Sequence, residues 1–584
     1  MKQLRRLLPY FRPYRVGIGL GLLLVVISNL FTIAGPYLLK VAIDSLTAEL
    51  RSDLILKYAV LIVVVALLAG ICRYGMRELL NGISRKIERD VRADLFGHLL
   101  RLPPRFFDEW RTGDLMSRLT NDVLAVRMVA GPAIMYMVNT ATVSALALGL
   151  MIWIDPVLTL FAMLPLLALP PAVIYFGKEI HVRFERIQSQ FSELSNFAQE
   201  NLAGIRIVKA YTQEESQTRG FAELNEEYMA RSMSLARVWG AFFPSLIFLS
   251  GLGAVVVLWL GGRQVILGQI TIGDFVAFGF YLTLLSWPMI AIGWVTNLFQ
   301  RGAASMGRIN ALLSVEPTIH DPEKPTRIEE LQGAVEFENV WFRYPDTERW
   351  VLEDVSFRIE PGQTVAVVGG TATGKTSLVR LIPRLYDVTR GRVSIDGVDV
   401  RDLSLEQLRE AVSVVPQEPF LFSMKLRRNI ELSRAGTDQT KLDRAIDIAQ
   451  LRGTLPLLPD GIDTLLGERG VNLSGGQKQR ATLARALWRD TPILLLDDAL
   501  AAVDSVTETA ILSGLQDYMA ARTSIIISHR VSAVRNADLI LVLEDGRIME
   551  RGTHSELLGL GGVYARLLER QLLVEELEHV GSPA

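Results

Sequence analysis

Six apolar stretches in the first half of this chain restrict its fold more than any other feature. Runs free of charged residues occupy Val16–Leu39, Tyr58–Cys72, Met128–Ile154, Pro156–Gly177, Val238–Gly262 and Phe275–Gln300. A helix needs about 20 mostly apolar residues to cross a bilayer. Five runs reach that length directly. The second is short, but its helical pattern continues past Arg73, which predicts a span over Leu54–Leu80 with a polar inner end. Within hydrocarbon each backbone N–H and C=O must find its partner inside the segment, so such runs form helices. Asn29, Asn139 and Asn297 interrupt them, either facing a central cavity or bonding between helices. No charged cavity stands out within the spans.

Positive charge orients the spans. Lys2, Arg5, Arg6, Arg12 and Arg15 precede the first, and the long connections between spans two and three and between four and five are rich in Arg and Lys. The remaining connections are short or mixed in charge. By the positive-inside rule, both termini and the two long connections are expected in the cytoplasm. The opening KQLRRLLPYFRPYR reads either as a basic amphipathic helix on the inner lipid surface or as a topogenic flank. It lacks the apolar core and cleavage site of a signal peptide. The long connections, 73–122 and 178–237, read as mostly helical, each broken once, at Leu102–Leu115 and at Lys209–Ser216. Helices that reach far below the membrane and turn back are useful if something there pushes on them.

Composition agrees with a membrane part joined to a soluble part. Of 584 residues 50% are hydrophobic and 21% charged, with a mean hydropathy of +0.28. The net charge of −2 gives no reason to expect nucleic acid as a partner. The one cysteine, Cys72, cannot form an internal disulfide. After a membrane domain over 1–313, residues 314–333 are polar and contain prolines, as a linker does. Residues 334–584 then alternate short β-branched strands with helices, an α/β domain.

The chemistry lies in that domain. TVAVVGGTATGKTS places G-x-x-x-x-G-K-T at Gly369–Thr376, directly after an apolar strand. Backbone N–H groups along Gly369, Gly370, Thr371, Ala372, Thr373 and Gly374 wrap a phosphate, Lys375 supplies charge to it, and Thr376 offers a hydroxyl to magnesium, with Ser377 beside it. Further on, ILLLD ends at Asp497, the expected second magnesium-side group. Together the two motifs predict bound ATP and Mg²⁺. Between them lies LSGGQ, Leu473, Ser474, Gly475, Gly476 and Gln477.

With that motif the chain resembles the ABC transporter superfamily, specifically exporters that join six membrane helices to one ATPase domain. The resemblance implies an α-helical membrane domain with long cytoplasmic extensions, followed by an α/β P-loop ATPase domain. It places the protein in the cytoplasmic membrane as a multi-pass half-transporter, with lipid and a second half-transporter as partners. It further implies that Tyr344 stacks on adenine, that Gln417 touches magnesium, and that Glu468 contacts the membrane-domain loops. Asp504 would close the D-loop and His529 would hold the γ-phosphate. The LSGGQ loop would face a nucleotide held by the opposite ATPase domain.

Two departures stand out. Fully active relatives carry Glu after the Walker B aspartate, where this chain has Asp498, and the D-loop lacks a hydroxyl at Ala501. A carboxylate displaced by about 1 Å can lose on the order of 100-fold in rate. The pattern is similar to that of bacterial heterodimeric exporters with one degenerate ATP site. This chain is thus expected to give an intact signature loop to the competent site, whose partner carries the glutamate, and a weak Asp498 to its own. The alternatives are a homodimer with Asp498 as base, an ATP-gated channel and a regulatory subunit. Export of an amphipathic drug, lipid or peptide is the expected function.

Overall fold

The computed structural model describes residues 2–48, 52–345, 347–433 and 438–580. Two units emerge, one of 1–101 with 110–316 and one of 102–109 with 317–584.

In the first unit six helices are long and apolar enough to cross a membrane: α1 (Gln3–Leu46), α2 (Asp53–Leu99), α3 (Thr112–Ile154), α4 (Pro156–Ala203), α5 (Glu214–Ile266) and α6 (Ile272–Leu313). Helices α1, α2, α3 and α6 pack on one another, and α4 pairs with α5. Small residues let α1 approach α2: a Cβ on Gly21 would lie 2.6 Å from Leu80, and one on Gly17 would lie 2.8 Å from Ile83. Side chains that face away are apolar and bare, such as Val63, Leu67, Trp153, Ile247 and Phe248. Such a surface belongs in lipid. The expected breaks in the long connections are present. Between α2 and α3 lies the short helix Pro104–Glu109, and between α4 and α5 the short helix Ile205–Ala210.

In α3 the backbone widens to a π turn at Val129–Ala133 around Pro132, whose ring cannot donate to an ordinary helical bond. There Gly131 lies against Ser84 of α2. The sequence suggested no charged cavity among the spans. The structure corrects this: Arg73 and Arg77 line one, together with Asn29 and Thr32 of α1, Tyr136 and Asn139 of α3, and Trp287 of α6.

The second unit holds two sheets. One is antiparallel in the order β2-β1-β4-β5, from β1 (Val335–Phe342), β2 (Leu352–Ile359), β4 (Arg390–Ile395) and β5 (Val398–Asp399). Phe337 and Phe357 face each other across β1 and β2 with rings stacked at 4.6 Å. The other has the order β10-β9-β3-β8-β7-β6, from β3 (Thr364–Gly369), β6 (Val412–Val415), β7 (Ile493–Asp497), β8 (Thr523–Ile527), β9 (Leu539–Glu544) and β10 (Arg547–Gly552). Its strands are parallel except β10, and β7 and β8 are buried at every position. Helices cover both faces of such a sheet, so its strands read as continuous apolar runs. The segment Leu102–Glu109 belongs to this unit. Phe106 is buried, and Asp108 Oδ2 accepts a 2.7 Å hydrogen bond from Tyr386.

Candidate functional site

The parallel strands β3, β7 and β8 end side by side, and a cleft opens beyond their carboxyl ends, where ligands of such sheets bind. The cavity there measures about 550 Å³. Tyr344, Thr371, Ala372, Thr373, Gly374, Lys375, Thr376, Ser377, Gln417, Asp497, Asp498 and His529 all line it. These side chains come from separate places in the chain, yet one strand edge gathers them.

The loop after β3 is shaped for close approach. At Gly374 φ is +100°, and a Cβ there would lie 2.6 Å from the Val351 carbonyl oxygen, so only glycine fits. Lys375 is buried, and its Nζ donates to the carbonyls of Gly369 at 3.0 Å and Gly370 at 2.5 Å. Burial lowers its pKa, while the Asp498 and Asp497 carboxylates pull it back up. The ammonium is thus held by neutral carbonyls, with the two carboxylates in the same cavity. An ammonium at the start of a helix after a glycine-rich turn suits a phosphate.

Thr376 Oγ1 donates to Asp497 Oδ1 at 3.0 Å. Burial raises the Asp497 pKa; the Thr376 bond and then the Arg380 charge oppose it. Hard oxygen ligands at this spacing suit Mg²⁺, which is usually held by one or two carboxylates plus phosphate oxygens. No cluster of three or more His, Cys, Asp or Glu able to hold a metal occurs among the described residues.

Tyr344 is partly buried at the cavity wall, its hydroxyl 2.9 Å from Ser377 Oγ and its ring edge-on to Phe342 and Tyr386. Asp498 is partly buried at φ +47°, and its amide is fixed by a 2.9 Å bond to the Ile527 carbonyl. His529 follows β8. Burial, and then the Lys375 charge, lower its pKa.

The remaining expected residues lie elsewhere. Gly369, Gly370, Leu473, Ser474, Gly475, Gly476, Gln477 and Asp504 do not line this cavity, though the Gly369 and Gly370 carbonyls hold Lys375. Ser474 caps the helix Gly475–Arg489 in a reciprocal box with Gln477; Ser474 and Gly475 are exposed, and Gly476 and Gln477 are half-buried. Asp504 caps the helix Ser505–Met519 by accepting from the Thr507 amide at 2.9 Å. Residues that no motif pointed to also line the cavity, among them Arg349, Trp350, Asp545 and Gly546. Trp350 lines the same cavity as Tyr344 and lies under the guanidinium groups of Arg343 and Arg390. Its one sequence signal was being aromatic a few residues after Tyr344.

Comparison with known proteins agrees with this geometry. The family described as ABC transporter transmembrane region matches residues 18–289, and the family described as ABC transporter matches residues 352–501. A probable multidrug resistance ABC transporter ATP-binding/permease protein of Bacillus subtilis is 36% identical over 572 residues, covering 98% of each chain. An ATP-dependent lipid A-core flippase of Syntrophus aciditrophicus is 33% identical over 580 residues, covering 99% of this chain and 96% of its own. The structure of a bacterial Atm1-family ABC exporter with ATP bound superposes with a TM-score of 0.77 at 28% identity, covering 96% of this chain and 99% of that one.

Proposed function

This chain belongs to the ABC transporter family as an exporter-type half-transporter whose ATPase drives export, and from that premise we propose that it acts in a two-chain exporter with unequal ATP sites. One observation carries the proposal: the cavity holds the P-loop, Asp497, Asp498 and His529 but none of the signature residues 473–477. The exposed Ser474 and Gly475, at the start of the helix Gly475–Arg489, are then placed to meet a nucleotide bound to a second ATPase domain.

Magnesium, when bound, neutralises the charge that develops on the transferred phosphoryl group. Lys375 binds the phosphates, Thr376 and Asp497 hold the cation, and Tyr344 or Trp350 stacks on the base. Asp498, next to Asp497 in the chain, is the carboxylate that orients water, and its held backbone makes it a weak one. A partner that carries glutamate there would supply the faster site. Exposed apolar side chains near the turn between α4 and α5, such as Leu202, Ile207 and Tyr211, favour a protein partner, since large bare apolar patches mark interaction surfaces.

Both termini and the ATPase domain face the cytoplasm of a bacterial-type inner membrane in this reading, on the charge asymmetry of the connections. The cargo is an amphipathic or hydrophobic molecule, in keeping with the multidrug and flippase names of the relatives. The test is uptake by inverted vesicles. Accumulation against a gradient that stops when hydrolysis is blocked supports a pump, and dissipation of the gradient by ATP shows a channel.

A further inference from the structure

The chain passes between its two units three times: after α2, before α3 and after α6. Helices α4 and α5 carry no such junction. The ends of the three junction helices nearest those crossings share one cluster of charged side chains. Asp122 of α3 is buried, at 5% exposure. Arg308 of α6 closes over it as a fork, with Nε donating to Oδ2 at 2.9 Å and Nη2 to Oδ1, while Arg308 itself stays half open to solvent. Arg118 of α3 donates to the Arg308 carbonyl at 2.8 Å. Arg92 of α2, paired with Glu88, donates to the Leu119 carbonyl of α3 at 3.2 Å.

The backbone of α3 is shaped for this cluster. It widens to a π turn over Arg118–Asp122, the stretch that makes all of these bonds to α2 and α6. Single π turns inside α-helices are frequent at functional positions. Further along the same pair of helices, a Cβ on Gly302 of α6 would overlap Val129 of α3, so no gap separates them there. Two attachments along one helix pair fix rotation as well as spacing. A guanidinium fork adds a direction that a point charge lacks. Opening the pair would leave a buried carboxylate without its counter-charge, which is strongly unfavourable.

We propose that Asp122 and Arg308 are positioning residues for coupling. With Arg118 and Arg92 they clamp α2, α3 and α6 into one body, so that a displacement arriving from the ATPase unit through any of the three junctions moves all three helices against α4 and α5. This holds for equal and for unequal ATP sites, and for any cargo.

The test uses the full transporter in nanodiscs, carrying Cys72→Ser and spin labels on paired exposed positions of this chain, diluted with unlabelled protein. Distances are compared between the nucleotide-free and vanadate-trapped states. Leu124→Cys with Ala311→Cys reads α3 against α6, and Leu124→Cys with Met229→Cys reads α3 against α5. In wild type the first distance should hold and the second should change. Arg308→Gln should lose most of that change, while hydrolysis falls by less than the about 5-fold at which coupling between sites typically begins. Arg308→Lys keeps the charge over Asp122 without the fork and should recover part of the change. A merely structural role would lower hydrolysis and the distance change together. If Arg308→Gln does not assemble, the two wild-type distances and Arg308→Lys decide. Equal behaviour of the two wild-type distances overturns the clamp. So does a wild-type response by Arg308→Gln, or hydrolysis and response lost together.

Discussion

Gln479 Oε1 accepts a 2.9 Å hydrogen bond from the backbone amide of Ala502, joining the helix that follows the signature loop to the D-loop. The same residue closes the space beside the loop. A Cβ on Gly476 would lie 2.7 Å from the Ala502 carbonyl oxygen, a backbone atom with little freedom to retreat. Arg530 adds a third connection, donating to the Ala501 carbonyl at 3.2 Å and pairing with Glu508. The signature turn, the D-loop and the segment after His529 are therefore one hydrogen-bonded assembly.

Gly476→Ala should separate that assembly. Overpacking of this kind costs about 1–3 kcal/mol, and here the displaced group is the D-loop backbone. We expect at least a ten-fold fall in ATP hydrolysis by the assembled transporter, with nucleotide still bound at this chain's own P-loop. Gln479→Ala, which leaves the Ala502 amide without its buried partner, should act in the same direction. Steady-state hydrolysis beside nucleotide binding checks both, and wild-type turnover by Gly476→Ala would show that the contact is idle.

Tyr344 offers the next prediction. Its ring is steadied by Phe342, Tyr386 and the bond to Ser377. Tyr344→Ala should weaken ATP binding at this chain's site by roughly 1–3 kcal/mol, the range for base–aromatic stacking. Tyr344→Phe keeps the ring and loses only the hydroxyl bond, so its affinity should stay close to wild type. Equal affinities for wild type and Tyr344→Ala would transfer the stacking role to Trp350, the other aromatic in the cavity.

His529 predicts a pH effect on stability. Burial, and then the Lys375 charge, hold its folded pKa below the usual value of 6.5, with Asp498 and Asp497 opposing. The unfolded chain therefore binds more protons between the two values, and stability rises with pH across that window. The contribution is complete above pH about 6.5 and is lost as pH falls through the depressed value. In the nucleotide-free protein, the melting temperature should fall less between pH 7.5 and 5.5 in His529→Gln than in wild type. An identical fall in both would remove His529 from the acid response.

How much of this could be read beforehand depends on how local each feature is. The P-loop and the Asp497 strand were legible because a glycine-rich turn after an apolar run carries its chemistry in consecutive residues. The six spans were legible because lipid demands long apolar runs. Other features depend on chain distant in sequence. Asp108 meets Tyr386 across 278 residues, and no spacing rule joins a short helix between spans to an ATPase strand layer. The cavity around Arg73 and Arg77 draws on four helices, so its charge looked like the ordinary polar end of a span. The left-handed backbone of Asp498 was likewise invisible, since aspartate tolerates that conformation but does not require it. It follows from β7 ending beside β8, where the amide of Asp498 finds the Ile527 carbonyl.

That fixed backbone leads to the test that separates the two ATP sites. If the competent site uses this chain's signature loop, Ser474→Arg or Gly475→Asp should nearly abolish hydrolysis, because a bulky charge would fill the exposed helix start where a partner's γ-phosphate docks. Asp498→Asn should change total turnover only a few-fold. Its carboxylate is set back by one methylene, so it adds little to the rate-limiting step. Steady-state hydrolysis by the purified complex is the measurement, with vanadate trapping to show that each variant still assembles and binds nucleotide. Two equivalent sites predict a different pattern. In a homodimer Asp498 is the only base available, and neutralising it would stop hydrolysis as completely as the signature substitutions do. Full loss in Asp498→Asn, from a protein that hydrolyses ATP when purified alone, would establish Asp498 as a working base and end the unequal-site reading.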